Sequence, residues 1–64
     1  MNLDLLRWFV NKQVVLITKS GNQLTGILKK QNIDIYTTIF YIVEKSNNIY
    51  FDATHISHLW EVSE

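Results

Sequence analysis

A turn and the strand after it occupy residues 20–28, which read Ser20-Gly21-Asn22-Gln23-Leu24-Thr25-Gly26-Ile27-Leu28. After the turn, apolar and polar residues alternate, which is typical of a strand with one buried face. Gly21 and Gly26 are the only glycines of the chain, and glycine adopts positive φ without steric cost. We therefore predict a turn at Gly21. Because Gly26 lies inside the strand on its core face, we also predict a sharp bend there.

The rest of the chain favours β-structure around this hairpin. Its 64 residues include eight Ile, five Val, five Thr and eight aromatic residues, and there is no proline to interrupt a strand. We predict strands at 13–18, 23–31, 35–44, 49–53 and 56–62, turns at 19–22, 32–34 and 45–48, and one tight turn at 53–55. Near the N-terminus, apolar residues stand at helical spacing, which predicts a short helix with Asn2 as its N-cap.

These elements predict one all-β domain over residues 1–64. A short N-terminal α-helix (1–11) precedes a strongly bent five-stranded antiparallel barrel (13–62). A chain of this size buries only about 60% of the surface that it exposes when unfolded. Because there is no cysteine, neither a disulfide nor a cysteine zinc site can stabilise it. We expect stability to come from packing and from association of copies through the edges of the fourth and fifth strands, without a cofactor.

Charge is balanced overall but uneven along the chain. Six basic and six acidic residues give a net charge of 0, which removes overall charge as an argument for a nucleic-acid partner. Residues 1–32 carry five basic and one acidic residue, and residues 33–64 carry one basic and five acidic residues. These opposed halves either attract each other or lie solvated on separate faces. Because no apolar run reaches about 18 residues and no basic leader region is evident, we expect a cytoplasmic protein without a membrane partner.

Residues 20–28 resemble the first half of the Sm1 motif of the Sm-like family, which includes Sm and LSm proteins and bacterial Hfq. A turn glycine, an apolar residue and a bend glycine stand at the family's spacing. The order of one short helix and five strands is similar to the family over nearly the whole chain. The ending Ile56-Ser57-His58-Leu59-Trp60-Glu61-Val62 resembles small Sm-like proteins of spore-forming low-GC bacteria. The resemblance implies an Sm-like (SH3-like) barrel, a ring of six or seven copies, and RNA binding.

The positions that contact RNA in this family are not matched. Asn32 and Tyr36 stand where Sm proteins place an aspartate and a base-binding asparagine, and residues 52–55 replace an Arg-Gly-Asp/Asn motif. The candidates for nucleic-acid binding are therefore basic and aromatic residues of this chain: Lys19, Lys29, Lys30, Tyr36 and His55. Two alternatives stay open. Tyr36 either stacks on a base or packs half-buried on its neighbours, and the strand lysines either line a groove or protect an edge.

The sequence contains no catalytic motif. His55 and His58 have an H-x-x-H spacing, but in an extended segment this spacing places them on opposite faces, so we predict no metal site. Neither a nucleophile nor a glycine-rich phosphate loop accompanies Asp52 and His55, so we predict no enzyme activity.

Trp8 and Trp60 are the remaining candidate contact residues. A tryptophan is hard to bury in so small a domain, so these two either contact a subunit or partner or share a core between the helix and the last strand. Three functions remain open. The chain is an Sm-like oligomer that binds RNA, a structural or adaptor protein that contacts other proteins, or a monomeric SH3-like interaction domain.

Overall fold

The computed structural model describes residues 3–62 and consists of a short helix followed by five antiparallel strands. The elements are α1 (Leu3–Arg7), β1 (Gln13–Thr18), β2 (Gln23–Asn32), β3 (Thr38–Glu44), β4 (Asn47–Phe51), a 3-10 turn (Ala53–His55) and β5 (Ile56–Glu61). This confirms the predicted helix, five antiparallel strands and tight turn at 53–55. Asn2, the predicted N-cap, lies outside the described residues. Within residues 3–62, no helix has the length and apolar character needed to cross a membrane.

The five strands form one open sheet in the order β4-β3-β2-β1-β5. In a flat sheet the two edge strands would lie about 19 Å apart, at about 4.8 Å per strand. However, β4 and β5 are joined by only four residues, 52–55, which contain a 3-10 turn rising about 2 Å per residue. The sheet must therefore curl to bring its edges together. It does not close into the predicted barrel, because no ladder joins β4 to β5.

β2 is shared between two partners along its length. Residues 23–27 of β2 pair with β1, and residues 27–32 pair with β3, so the two ladders overlap only at Ile27. Gly26 stands just before this change of partner and is buried. A Cβ at Gly26 would collide with the backbone carbonyl oxygen of Val43 and lie 2.7 Å from Cγ2 of Ile42. A side chain at this position would therefore push β3 away from β2.

The core lies on the concave face of the curled sheet. Alternate residues of β1, β2 and β3 point into it, and the helix and β5 each add one buried side chain. Its members are Leu6, Val14, Leu16, Leu28, Phe40, Ile42 and Ile56. α1 is attached mainly by Leu6, which is fully buried, while its neighbours Leu3 and Leu5 are about half exposed. Val15 is buried too, but it belongs to the opposite face of β1 and lies outside this cluster.

Several predicted boundaries were wrong. β2, β4 and β5 end at residues 32, 51 and 61 rather than 31, 53 and 62, and three larger or better explained shifts have a visible cause in the backbone. The helix ends at Arg7 rather than at residue 11. After Arg7 the backbone N–H groups bond to carbonyls three residues back instead of four, as in the 3.2 Å bond from Trp8 N–H to the Leu5 carbonyl. Asn11 then adopts a φ of 70°, which is not helical. β4 begins at residue 47 rather than 49, because Lys45 adopts a φ of 55° and the turn needs only residues 45 and 46. β3 begins at Thr38 rather than residue 35, because residues 33–37 bond among themselves.

Candidate functional site

Two of the predicted nucleic-acid residues, Lys19 and His55, meet at one cleft. The backbone N–H of Lys19 donates a hydrogen bond of 2.7 Å to the carbonyl of His55. This bond ties the β1–β2 turn to the connection between β4 and β5. Both residues line a cleft of about 620 Å³, which Asp52 and Tyr50 line as well. We call this space the Lys19 cleft. Its lining thus includes a lysine, a histidine and an aspartate, together with Tyr50, whose ring packs against Tyr41 of the neighbouring strand.

Asp52 shapes the His55 side of this cleft. Its carboxylate oxygen Oδ1 accepts hydrogen bonds from the backbone N–H of Thr54 at 2.9 Å and from the Thr54 hydroxyl at 2.8 Å. Asp52 is therefore the N-cap of the 3-10 turn that carries His55. The backbone bond from Thr54 is the main cause that lowers the pKa of Asp52, followed by the hydroxyl bond, while the charge of His55 contributes least. The cap orients the turn and keeps a negative charge beside His55.

Lys29 has a structural partner away from the Lys19 cleft. Its Nζ donates a hydrogen bond of 2.8 Å to Oδ1 of Asn11. The backbone N–H of Asn11 in turn donates to the carbonyl of Leu28 at 2.7 Å. The two bonds hold the segment after α1 against β2. Lys29 and Lys19 thus do not line one groove, although the sequence analysis treated them as one set.

Lys30 and Tyr36 belong to a third region. Lys30 is exposed on β2, opposite Phe40 of β3. Tyr36 is 90% exposed in the connection 33–37, which we call the β2–β3 tip. The half-buried packing considered for Tyr36 is therefore wrong. Hydrogen bonds among its own residues hold the tip in shape. Oδ1 of Asp34 accepts a hydrogen bond of 2.7 Å from the backbone N–H of Tyr36. The backbone N–H of Ile33 donates a hydrogen bond of 2.8 Å to the carbonyl of Thr37.

The two tryptophans do not share a core. Trp8 is 75% exposed just after α1, and Trp60 is 45% exposed on β5. The sequence analysis missed two comparable residues, Ile35 at the β2–β3 tip and Tyr50 on β4, which are 88% and 56% exposed. Ile35 was expected to begin the third strand, and Tyr50 was expected only to lie within the fourth. Large apolar side chains are thus exposed at several separate places among the described residues.

The remaining titratable side chains bear on metal binding and catalysis. Within residues 3–62, no group of three or more His, Asp or Glu side chains is placed to hold a metal ion. The Ser57 hydroxyl lies 2.8 Å from Nδ1 of His58, and both residues are exposed neighbours on β5.

β4 and β5 are the two edges of the sheet, as the sequence analysis predicted. Charged residues usually protect a free strand edge, and these two edges carry few of them. β4, Asn47–Phe51, contains no charged residue. The one acidic residue of β5, Glu61, lies 3.6 Å from Nζ of Lys12 in the same chain. Both edges are therefore open to pairing with another strand.

Comparison with known proteins gives no match to this chain among family models, curated proteins or solved structures. The resemblance to the Sm-like family therefore stays a hypothesis.

Proposed function

We propose that this chain is a non-enzymatic Sm-like module that assembles with copies of itself through β4 and β5 and presents its apolar surface to protein partners. The observation that carries the proposal is the pair of unprotected strand edges at opposite ends of one open, curled sheet. Each edge leaves backbone N–H and C=O groups without a partner strand, and pairing between copies satisfies them. Pairing also buries apolar surface. Because a domain of 64 residues without cysteine buries little apolar surface by itself, association of copies adds to its free energy of unfolding.

The distribution of basic residues favours this structural function over RNA binding. Arg7 lies 3.5 Å from Asp4, Lys12 lies 3.6 Å from Glu61, and Lys29 is bonded to Asn11. Half of the six basic residues thus have polar or acidic partners within the chain. A nucleic-acid interface usually presents its cations together along one surface.

RNA binding at the Lys19 cleft is the second candidate. Lys19 and His55 are joined by a backbone hydrogen bond, and Tyr50 and Phe51 of β4 are among the residues that line the same cleft. A cation beside an aromatic ring suits a single-stranded nucleotide, because the phosphate and the base then each find a partner. Asp52 opposes this candidate, because an aspartate is ionised at neutral pH and therefore keeps a negative charge in the cleft.

Light scattering of the purified protein, with ultraviolet and refractive-index detection, tests the proposal. We expect a mass of about six or seven copies and no excess absorbance at 260 nm. A monomer at every concentration would overturn the assembly and favour an SH3-like interaction domain. Excess absorbance at 260 nm would favour the RNA candidate instead.

Titration with oligo-uridine and oligo-adenine separates the two candidates. RNA binding predicts an affinity that falls steeply with salt and weakens in Lys19→Ala, with Lys45→Ala as a control lysine outside the cleft. If neither oligonucleotide binds at low ionic strength, the RNA candidate is excluded.

A further inference from the structure

A second groove lies where β4 ends, and it shares Tyr50, Phe51 and Asp52 with the Lys19 cleft. Its other walls come from the start of α1, from residues 38–40 of β3 and from the 3-10 turn. We call this space the Phe51 groove. Its volume is about 620 Å³, and small-molecule sites typically have about 300–1,000 Å³. The groove is therefore large enough for a small organic ligand.

The lining of the Phe51 groove is mainly apolar and carries one charge. Its aliphatic and aromatic members are Leu3, Ile39, Phe40, Tyr50 and Phe51. Among the described residues that line the groove, Asp52 alone is charged, and an aspartate is ionised at neutral pH. A negative charge beside aromatic and aliphatic side chains repels anions and attracts a cation that has an apolar surface.

The 3-10 turn holds the carboxylate of Asp52 in place. Its Oδ1 accepts both hydrogen bonds from Thr54, at 2.9 Å from the backbone N–H and at 2.8 Å from the hydroxyl. A quaternary ammonium group has no N–H, so the charge attracts it without competition with Thr54 for that oxygen. Asp52 thus supplies a fixed negative charge, and binding of such a cation leaves the cap of the turn intact.

We propose that the Phe51 groove binds a small organic compound that carries an alkylated ammonium group. Alkylated ammonium ions bind beside aromatic rings through cation–π attraction, and their alkyl groups pack favourably on apolar walls. A primary ammonium is strongly hydrated, and an apolar groove removes part of that hydration at a cost. Because the groove is larger than the ammonium group, the rest of the compound lies against Leu3 and Ile39. This inference goes beyond the proposed function and does not depend on it.

Three probes separate charge from apolar contact. Choline and its neutral isostere 3,3-dimethylbutan-1-ol share a shape, whereas ethanolamine keeps the charge and lacks the methyl groups. In NMR titrations that follow the backbone amides of residues 50–54, we expect choline to bind tenfold or more tighter than either of the other two. Equal binding of the isostere or of ethanolamine would overturn the proposal. No shift at about 10 mM choline, which would nearly saturate a site with a Kd of about 1 mM, would overturn it as well.

Two matched aspartate variants locate the site. Asp52→Asn removes the charge of the groove and keeps an N-cap, because asparagine caps as well as aspartate. It should weaken choline binding fivefold or more and leave the isostere within twofold. Asp34→Asn removes the same charge at the β2–β3 tip and should leave choline binding within twofold. Equal losses in the two variants would assign the effect to net charge and exclude the groove. Choline binding as tight in Tyr50→Leu as in the wild type would exclude recognition by the aromatic side chain.

Vesicles of phosphatidylcholine test whether the ammonium group belongs to a small compound or to a lipid. A small compound predicts that the wild-type protein does not sediment with the vesicles. Sedimentation that is lost in Asp52→Asn would assign the groove to a lipid headgroup and overturn the proposal. The comparison of probes on the wild-type chain needs no variant, so it holds even if a variant fails to fold. None of these readouts is the mass of the protein, so failure of this inference and failure of the proposed function are read separately.

Discussion

The two ends of the β2–β3 hairpin are stabilised in different ways. Around Gly26 the backbones of β2 and β3 approach so closely that a Cβ would collide with the Val43 carbonyl. At the β2–β3 tip, residues 33–37 keep their shape through bonds among themselves, and Ile35 and Tyr36 extend into solvent. The conformation of the Gly26 end depends on the packing of the whole sheet, whereas the conformation of the β2–β3 tip depends only on residues 33–37. Sensitivity to substitution should therefore fall sharply from one end of the hairpin to the other.

The largest effect is expected at Gly26. Gly26→Val places a branched side chain against the backbone of Val43 and should lower the free energy of unfolding by about 3 kcal/mol or more, or prevent folding. Chemical denaturation followed by circular dichroism measures this. Thr25→Val is the matched control, because it introduces the same side chain one residue earlier on the half-exposed convex face. If both variants are equally stable, the close approach at Gly26 is wrong.

The other glycine should show a smaller effect of a different kind. Gly21 has a φ of 94°, but nothing lies within 4 Å of an added Cβ. Gly21→Ala should therefore cost about 1 kcal/mol through backbone strain alone. Gly21→Asn should cost less, because asparagine tolerates the left-handed region better. Thermal unfolding of the three proteins gives the order, and an alanine variant as stable as the wild type would contradict it.

Asp52 should contribute a modest, pH-dependent stability. Its pKa is lowered in the folded chain, so its stabilisation is complete above the unfolded pKa and is lost as the pH falls through the folded pKa. We expect Asp52→Asn to be less stable than the wild type at pH 7 and the difference to begin to shrink only below the ordinary aspartate pKa of about 3.9, as the pH falls towards the lowered pKa of the folded chain. Unfolding midpoints from neutral to strongly acidic pH measure the difference. A constant difference over that range would rule out ionisation of Asp52 as its cause.

The smallest effect on stability is expected at the β2–β3 tip. Ile35→Ser and Tyr36→Ser remove side chains that are 88% and 90% exposed, so the free energy of unfolding should change by no more than about 0.5 kcal/mol. Denaturation under the conditions used for Gly26→Val makes the comparison direct. A loss near that of Gly26→Val would mean that the tip packs against the rest of the fold.

The sequence predicted well those elements whose ends are marked by nearby residues, such as a glycine turn or the end of an apolar run. β1 has the predicted bounds, Gln13–Thr18, because continuous apolar residues end at the turn that contains Gly21. The 3-10 turn lies where a tight turn at 53–55 was predicted, and the structure adds that Asp52 caps it. The start of β4 was missed because Lys45 adopts a positive φ, which no propensity of lysine predicts.

The candidate site was less predictable because it depends on contacts distant in sequence. The bond between Lys19 and His55 joins residues 36 positions apart, and nothing near either residue indicates it. Lys29 looked like a free strand lysine, and only the fold brings Asn11 to it. Tyr36 was placed on a strand because apolar residues flank it, whereas the short-range bond to Asp34 keeps it in the tip. The exposure of Tyr50 could be found only from the order of the strands.

The pairing of β1 with β5 also constrains how the chain reaches its fold. β2, β3 and β4 pair through short turns, but Val14 pairs with Glu61, which follows it by 47 positions. Contacts of such long separation form late, because the intervening chain must first be ordered. During synthesis, β1 therefore has an open edge until residues 56–61 have been made. A β5 segment from a neighbouring copy can occupy that edge in the same register, which makes strand exchange the characteristic misassembly of this chain.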